Sequence, residues 1–418
     1  MKILMVHNFY QIAGGEDTVV ANEKKLLEDH GHEVVLYTRD NKEINKMGKL
    51  RKLFLFFTTI FNRQTVRDIK RIIAEEKIDI VHVHNTLNLI SPAVYYVAKS
   101  CNVPVVQTIH NYRLICPGAI LYRDSHICEE CIKGGVFCSL KHKCYRNSLV
   151  QTFTCALSLN VHRSKGLYKD IYYICLTEFN KNKLLEARYK ERQVFDEDKI
   201  FVKPNFMTSS DRAIVPAVNR KNQIMFAGRL DESKGVDLLL KAWKKYDEGI
   251  RSRSFKPILI ICGSGPMEEW VRDYIKDNKL DSVCFLGKIN HEEVVKNMSE
   301  SIATVLPTRW YEGFPMSIAE SLSVGTPVIG PDMGNVGDIL EEDISGYKFT
   351  LGAKDEETID SLEKSIDKAF DSMKGDTKNE SIYDRCYEVY KNDYSAQKNY
   401  DELITIYQAV LVKRESNK

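Results

Sequence analysis

Two glutamates, Glu312 and Glu320, bracket the segment Glu-Gly-Phe-Pro-Met-Ser-Ile-Ala-Glu and follow a short β-branched run at Ala303–Leu306. The pattern fixes one carboxylate on a loop and the other on the helix that the loop opens. Pro315 suits a first helical turn, so the backbone N–H groups of Met316 and Ser317 would face an anion. Glu312 would lie at the carboxyl edge of a sheet, where α/β folds bind ligands. Upstream, Phe226-Ala-Gly-Arg-Leu-Asp-Glu-Ser-Lys-Gly235 puts Arg229 and Lys234 on a strand-to-helix turn. Together they can neutralise a diphosphate, arginine through its planar fork and lysine as a point charge, with Gly228 permitting close backbone approach. Two glycine turns, Gly14-Gly15 and Gly263-Ser-Gly265-Pro, also follow predicted strands. Neither completes the three-glycine dinucleotide fingerprint, and no acidic ribose partner follows Gly15 at the ~20-residue spacing a nicotinamide enzyme needs. Each feature also has a plain reading: an amphipathic helix with a solvated glutamate at each end, or solvated turns with incidental basic residues.

These residues need a sheet to hold them. Short β-branched runs alternate with helix-period segments through both halves, the pattern of a parallel sheet covered by helices on both faces, and the class is α/β. Strands are predicted at Lys2–His7, Glu33–Tyr37, Ile78–His84, Val103–Ile109, Tyr172–Leu176 and Ile200–Lys203. After a polar stretch from Met207 to Asn222 they resume at Ile224–Ala227, Ile258–Cys262, Val283–Leu286, Ala303–Leu306 and Pro327–Ile329. Helices are predicted at Thr18–His30, Val236–Trp243 and Tyr394–Val412, and beyond Ile339 the chain reads as charged and helical throughout. The expected division is a domain over 1–206, a linker over 207–222, a second domain over 223–390, and a terminal segment, 391–418, returning to the first. With 418 residues, 43% of them apolar, the chain exceeds the ~300 residues at which single cores stop growing. Its 60 basic and 58 acidic residues leave a charge of +2, which argues against a nucleic-acid partner chosen on bulk charge. The amino terminus reads as a first strand rather than a signal peptide, and no apolar run reaches the ~18 residues of a membrane span, so a cytoplasmic location is expected. Eleven cysteines then belong to a reducing compartment, where burial or metal binding outweighs disulfides.

The order of these features resembles glycosyltransferase family 4, of the capsular or surface-polysaccharide type, along nearly the whole chain. The likeness rests on Ala227-Gly-Arg-Leu with Lys234, on Glu312 and Glu320, on Val202-Lys-Pro-Asn205-Phe and on His82-Val-His84-Asn85. It implies the GT-B fold, two Rossmann-like domains with an interdomain cleft for a nucleotide-diphosphate sugar. By this resemblance Arg229 and Lys234 bind the donor diphosphate, Glu320 the ribose, and Glu312 with Gly313, Phe314 and the backbone after them the transferred sugar. His110, in Thr-Ile-His-Asn-Tyr, touches that sugar from the other domain, and Gly15, Gly228 and Gly265 line the donor site. Pro315 departs from the glycine of many relatives and removes one N–H donor. Such enzymes retain anomeric configuration through an oxocarbenium-like transition state, with the leaving phosphate assisting the acceptor hydroxyl. No catalytic metal is expected, and Asp196-Glu-Asp198 reads as a surface loop. The expected donor is a UDP-sugar and the expected transfer hexosyl or N-acetylhexosaminyl. A nucleotide-sugar epimerase of the same fold and a non-catalytic scaffold are the competing readings.

Two segments add to this. Within an insert at 111–147, Cys116, Cys128, Cys131 and Cys144 have a spacing that can wrap a structural zinc, the close pair Cys128 and Cys131 forming a two-ligand knuckle. Cys138, His126 and His142 compete as ligands, and reduced, non-ligating thiols are the plain alternative. Second, Lys49–Arg71 mixes basic and aromatic residues as an interfacial helix does. With Lys141, Lys143, Arg146, Arg163 and Lys165 it would attract anionic headgroups on the inner membrane face, where a lipid-linked oligosaccharide would be the acceptor. Alternatively Leu53, Phe54, Phe57 and Phe61 pack into the core.

Overall fold

The computed structural model describes residues 1–11, 14–208, 214–249, 256–375 and 381–416. Part of the predicted linker, 209–213, lies outside them. The chain divides into two compact units, one of Met1–Arg123, Cys128–Asn205 and Asn399–Lys418, the other of Phe206–Lys398 with Asp124–Ile127.

In the first unit six strands form one parallel sheet: β1 (Lys2–Phe9), β2 (Glu33–Asp40), β3 (Ile80–Val83), β4 (Val105–Ile109), β5 (Tyr172–Cys175) and β6 (Ile200–Val202), in the order β6-β5-β4-β3-β1-β2. The β-branched and aromatic residues of the inner strands β3, β4 and β5, and Ile3–Val6 of β1, are buried on both faces, as parallel strands between helices must be, while the edge strands β2 and β6 are only half-buried. Helix α1 (Gly15–Asp29) begins three residues before its predicted start and draws Glu16 and Asp17 into its first turn. Segment Lys49–Arg71 is two helices, α2 (Lys49–Ile60) and another over Arg63–Glu76. The break falls where the Asn62 side chain accepts from Gln64 N and so caps the second helix. Packing of the aromatics into the core is not what the structure shows: Phe54, Phe57 and Phe61 are 57%, 63% and 41% exposed. The Leu53 side chain lies outside the described residues. Helix α3 (Leu149–Ser164) packs beside α2.

The second unit has another parallel sheet: β7 (Gln223–Ala227), β8 (Ile258–Cys262), β9 (Val283–Gly287), β10 (Ala303–Val305), β11 (Val328–Pro331) and β12 (Gly346–Phe349), in the order β9-β8-β7-β10-β11-β12. Strand β12 corrects the helical reading beyond Ile339. Its Gly-Tyr-Lys-Phe carries no β-branched residue, unlike the comparably short β3 and β10, and it is placed by contact with β11, where a Cβ on Gly346 would stand 2.0 Å from Val328 O. Helix α4 (Val236–Gly249) buries Leu239, Trp243 and Tyr246, and the last two rings pack against Phe370 of the helix Asp355–Gly375. Helix α5 (Met316–Ser323) follows the loop after β10.

The last helix, α6 (Ala396–Ser416), closes the core of the first unit. Leu403, Ile406, Tyr407 and Val410 repeat at helical spacing and pack with Ile3, Met5, Ile80, Val106 and Ile174. Each such side chain contributes ~1.5–3 kcal/mol on burial.

Candidate functional site

Strand order in the second unit reverses between β7 and β10, and ligands of open α/β sheets bind outside the carboxyl ends of strands at such a point. The loops leaving these two strands carry Gly228, Arg229 and Lys234, and Thr308, Trp310 and Glu312. They touch at Gly235, which has φ +69° and no room for a side chain, since a Cβ would lie 1.9 Å from Pro307 O. Asp231 accepts from Lys234 N at 3.2 Å and fixes the turn.

One oxygen of Glu312 is the focus. Its Oε1 accepts from Lys234 Nζ at 2.6 Å, Thr308 Oγ1 at 2.9 Å and Trp310 Nε1 at 3.0 Å. The Glu312 side chain is 6% exposed and that of Lys234 24%, and Lys234 also sits 5.5 Å from the Trp310 ring centroid. Asn335 Nδ2 donates to the carbonyls of Glu312 and Gly313, pinning the backbone of the same loop. Phe314 is buried, its ring 5.8 Å from that of Tyr394. Pro315 stands at the N-cap rather than in the first turn, and no side chain caps α5. The backbone of Met316 and Ser317 therefore opens a positive helix end. Glu320 lies further along α5, and burial raises its carboxyl above the ordinary range.

Arg229 is placed differently. Its side chain is 68% exposed and its Nε lies 2.9 Å from Asp231 Oδ2. An exposed pair of this kind is weak, so an incoming phosphate can take Arg229 from Asp231 at little cost. Lys234 is held by Glu312 and can serve an anion only in place. The turn Gly263-Ser-Gly265 is filled by the protein's own backbone: a Cβ on Gly263, at φ +142°, would meet Gly228 O at 1.8 Å, and one on Gly265 would meet Leu230 O at 2.3 Å. These glycines hold the Arg229 loop in place.

In the first unit the order reverses between β1 and β3, and the loops there gather polar groups. His110 follows β4, with its Nε2 3.0 Å from His84 Nδ1. Burial holds the His110 pKa well below the ordinary histidine value, so the ring is neutral at pH 7. At the start of α1, Gly15 is followed by Glu16, whose carboxyl accepts from Tyr10 Oη at 2.7 Å and from Asn111 Nδ2 at 3.5 Å. Loss of solvation pushes Glu16 up to about 8. Asp17 pairs with His7 at 2.8 Å and accepts from Gly14 N at 3.2 Å. A phosphate arriving at Gly15 would therefore meet one neutral carboxyl and one already paired with histidine.

Beneath lies Glu23, 3.0 Å from His82 Nδ1, 3.4 Å from His84 Nε2 and 3.6 Å from Lys203 Nζ. Burial alone would raise its carboxyl, but the neighbouring His82 and Lys203 charges outweigh this and hold it well below the ordinary range. Lys203 also donates to Asn399 on α6, so the network ties three parts of the chain together. Among the described residues this is the group of three potential metal ligands whose atoms lie within 4.8 Å of one another, and the buried ammonium already supplies its cation.

All eleven cysteines are free thiols. Cys116 and Cys144 flank Gly118, where a Cβ would lie 3.6 Å from Cys116 Sγ and 3.3 Å from Cys144 Cβ. Burial and neighbouring thiols push Cys144 up to about 11 and Cys131 higher still. Arg123 Nε donates to Cys128 Sγ at 3.3 Å, and His142 is taken by Glu130 at 3.2 Å. The sulfurs form one neighbourhood, and among the described residues no three of them make a compact set. Arg163, expected among the surface cations, is instead buried and donates to Leu114 O at 2.6 Å.

Sequence reading missed Thr308, Trp310 and Asn335 beside Glu312, and Tyr10, Glu16 and Arg113 in the first unit. Only Trp310, an aromatic on a loop two residues before Glu312, carried a signal.

Two family models match the chain, one described as glycosyl transferases group 1 over residues 208–383 and one as glycosyltransferase family 4 over residues 13–126. An uncharacterized glycosyltransferase of Methanocaldococcus jannaschii is 26% identical over 83% of this chain and 84% of its own length. An uncharacterized 42.6 kDa protein in the cps region of Klebsiella pneumoniae is 25% identical over 76% of this chain and 75% of its own length. Among solved structures, the Anabaena protein HepE in complex with UDP superposes with a TM-score of 0.61 at 15% identity, covering 100% of each chain.

Proposed function

From a chain that belongs to glycosyltransferase family 4 and has the GT-B fold of two Rossmann-like domains, we infer a retaining transferase. It moves a hexosyl or N-acetylhexosaminyl group from a UDP-sugar to a lipid-linked oligosaccharide in polysaccharide synthesis. The observation that carries this reading is the Lys234–Glu312 pair at the strand-order reversal, with Arg229 exposed on the same turn. UDP in the Anabaena neighbour and the cps-region origin of the Klebsiella relative support the donor and the setting.

Charge on the leaving diphosphate grows as the glycosidic bond breaks. Arg229 releases Asp231 to take a phosphate oxygen, and Lys234 and the open end of α5 add positive potential, the kind of preorganised stabilisation that dominates such reactions. Glu312, locked by three donors, presents its loop to the sugar, and Glu320 takes the ribose. His110, neutral, can share a hydrogen bond with the sugar without adding charge. Departing phosphate assists the acceptor hydroxyl on the same face, so configuration is retained. The enzyme works on the inner face of the membrane, attached peripherally; among the described residues no helix is long and apolar enough to cross it. Cys116, Cys128, Cys131 and Cys144 would close on a structural zinc once deprotonated, with Cys128 leaving Arg123.

Purified protein is incubated with uridine, guanosine and adenosine diphosphate sugars, with and without lipid-linked acceptor, and nucleotide release is followed. Acceptor-dependent release of UDP with an α-configured product from an α-donor is expected. Epimerised donor would replace transfer by epimerisation, and no binding of any donor would leave a scaffold.

A further inference from the structure

A cavity of about 540 Å³ in the first unit is lined by the end of α3 and by a short hairpin, Arg188–Tyr189 paired with Arg192–Gln193. Its volume lies within the range of small-molecule sites. Four cationic residues line it, and no lining residue is acidic: Arg163 comes from the last turn of α3, Lys169 from the turn Leu167–Asp170 before β5, and Lys190 and Arg192 from the hairpin. Tyr189 stands opposite Arg192 in the hairpin register, so the two side chains share a face. Lys190 Nζ lies 5.7 Å from the Tyr189 ring centroid.

Arg163 sets this cavity apart from an ordinary basic surface. It is 7% exposed, and its Nη2 donates to Leu114 O at 2.6 Å. Its buried Nε has no hydrogen-bond partner, and the side chain makes no ion pair among the described residues. Burial lowers its pKa, yet a guanidinium keeps its proton at pH 7. A buried charge in this state is costly until an anion joins it. Carboxylates close by in the chain do not serve it: Asp170 pairs with Lys99 at 2.6 Å, and Glu191 is exposed at the hairpin turn. Clefts lined by one sign of charge concentrate ligands of the other.

We propose that this cavity is a second anion site, for a free phosphorylated small molecule: the phosphate held by Arg192, Lys190 and Lys169, with Arg163 supplying buried charge, and the organic body against Tyr189. Arginine forks and lysine point charges both suit phosphate oxygens. A phosphate monoester carries ~1.5–2 negative charges at pH 7, which several cations match better than a single carboxylate would. All of these residues belong to the first unit, whereas Arg229 and Lys234 belong to the second. The site therefore shares no residue with the donor turn and stands independently of the transferase reading.

Isothermal titration of the full-length protein with inorganic pyrophosphate tests it, beside citrate and phosphatidylglycerol vesicles. One pyrophosphate site should weaken about tenfold or more in the double variant Lys190→Ser, Arg192→Ser, at two exposed positions, while circular dichroism and UDP binding stay unchanged. Arg163→Met should weaken the same site, and Arg229→Ala should leave it intact. Pyrophosphate binding that ignores the double variant, or no binding at all, would overturn the proposal. So would citrate binding as tightly, because charge alone would then suffice. Vesicles held through Lys190 and Arg192 without pyrophosphate binding would likewise overturn it and give this face to the bilayer. Loss of UDP binding in a wild-type protein that keeps this site speaks against the transferase alone.

Discussion

Replacing Lys234 with methionine removes the cation 2.6 Å from Glu312 and keeps most of the stem. Glu312 Oε1 retains Thr308 and Trp310 as donors, so the carboxylate is not abandoned. The stability lost is that of one charge-assisted hydrogen bond, ~1.5–3 kcal/mol. Catalysis should lose more. A fixed positive group aimed at developing charge contributes ~2.7–4 kcal/mol, or ~10²–10³ in kcat, and the Lys234→Met protein should show that fall in UDP release. Steady-state assays well below the melting temperature, with thermal unfolding followed in parallel, separate the two effects. A variant that melts earlier but turns over within about threefold of wild type, a difference of only ~0.7 kcal/mol, would refute the reasoning. Lys234 would then be a brace for Glu312, with no part in stabilising the leaving group.

Arg229→Ala should behave oppositely. Its surface pair with Asp231 contributes ~0–1 kcal/mol, so melting should hardly change, while UDP affinity measured by calorimetry should fall ~10–100-fold with loss of a charge-assisted contact worth ~1.5–3 kcal/mol. For Glu16, pushed up from 4.5 to about 8, the folded state holds a proton that the unfolded state releases. Its contribution is therefore fully present below pH 4.5 and is lost as pH rises through 8. Denaturant titrations at pH 5 and pH 9 should show Glu16→Gln gaining stability relative to wild type at the higher pH, on the order of 3–5 kcal/mol; an equal difference at both would mean that Glu16 titrates normally. Gly263→Ala forces a Cβ to within 1.8 Å of Gly228 O at φ +142°, and should lower stability by over ~3 kcal/mol and abolish donor binding with it. Metal analysis of the purified protein should find one zinc per chain, lost in Cys128→Ser; a metal-free, fully folded protein would leave the four thiols as core.

The sequence was most legible where chemistry and local pattern coincide. Alternating β-branched and helical segments determine two parallel sheets by themselves, because buried strands must be apolar on both faces and their crossovers helical. Arg229, Lys234, Glu312 and Glu320 stand out because their types and spacing at strand ends serve one kind of ligand. Strand β12 was hidden because Gly-Tyr-Lys-Phe at a sheet edge takes its conformation from β11 and has no β-branched residue to mark it. The pairing of Glu312 with Lys234 was hidden because Lys234 is 78 residues away in the chain, and only the strand order that sets β7 beside β10 brings the two together. Phe54 and Phe57 looked alike whether buried or exposed, and the break at Phe61-Asn62, together with the packing of α2 on α3, decided it. Arg163 and Arg146, equal as cations in the sequence, were separated by the turn of α3 that buries one and by the loop that exposes the other. Residue type and spacing thus fix which chemistry is available, whereas the pairing of distant loops fixes which charges are free to use it, since burial and partnership are properties of neighbours in space.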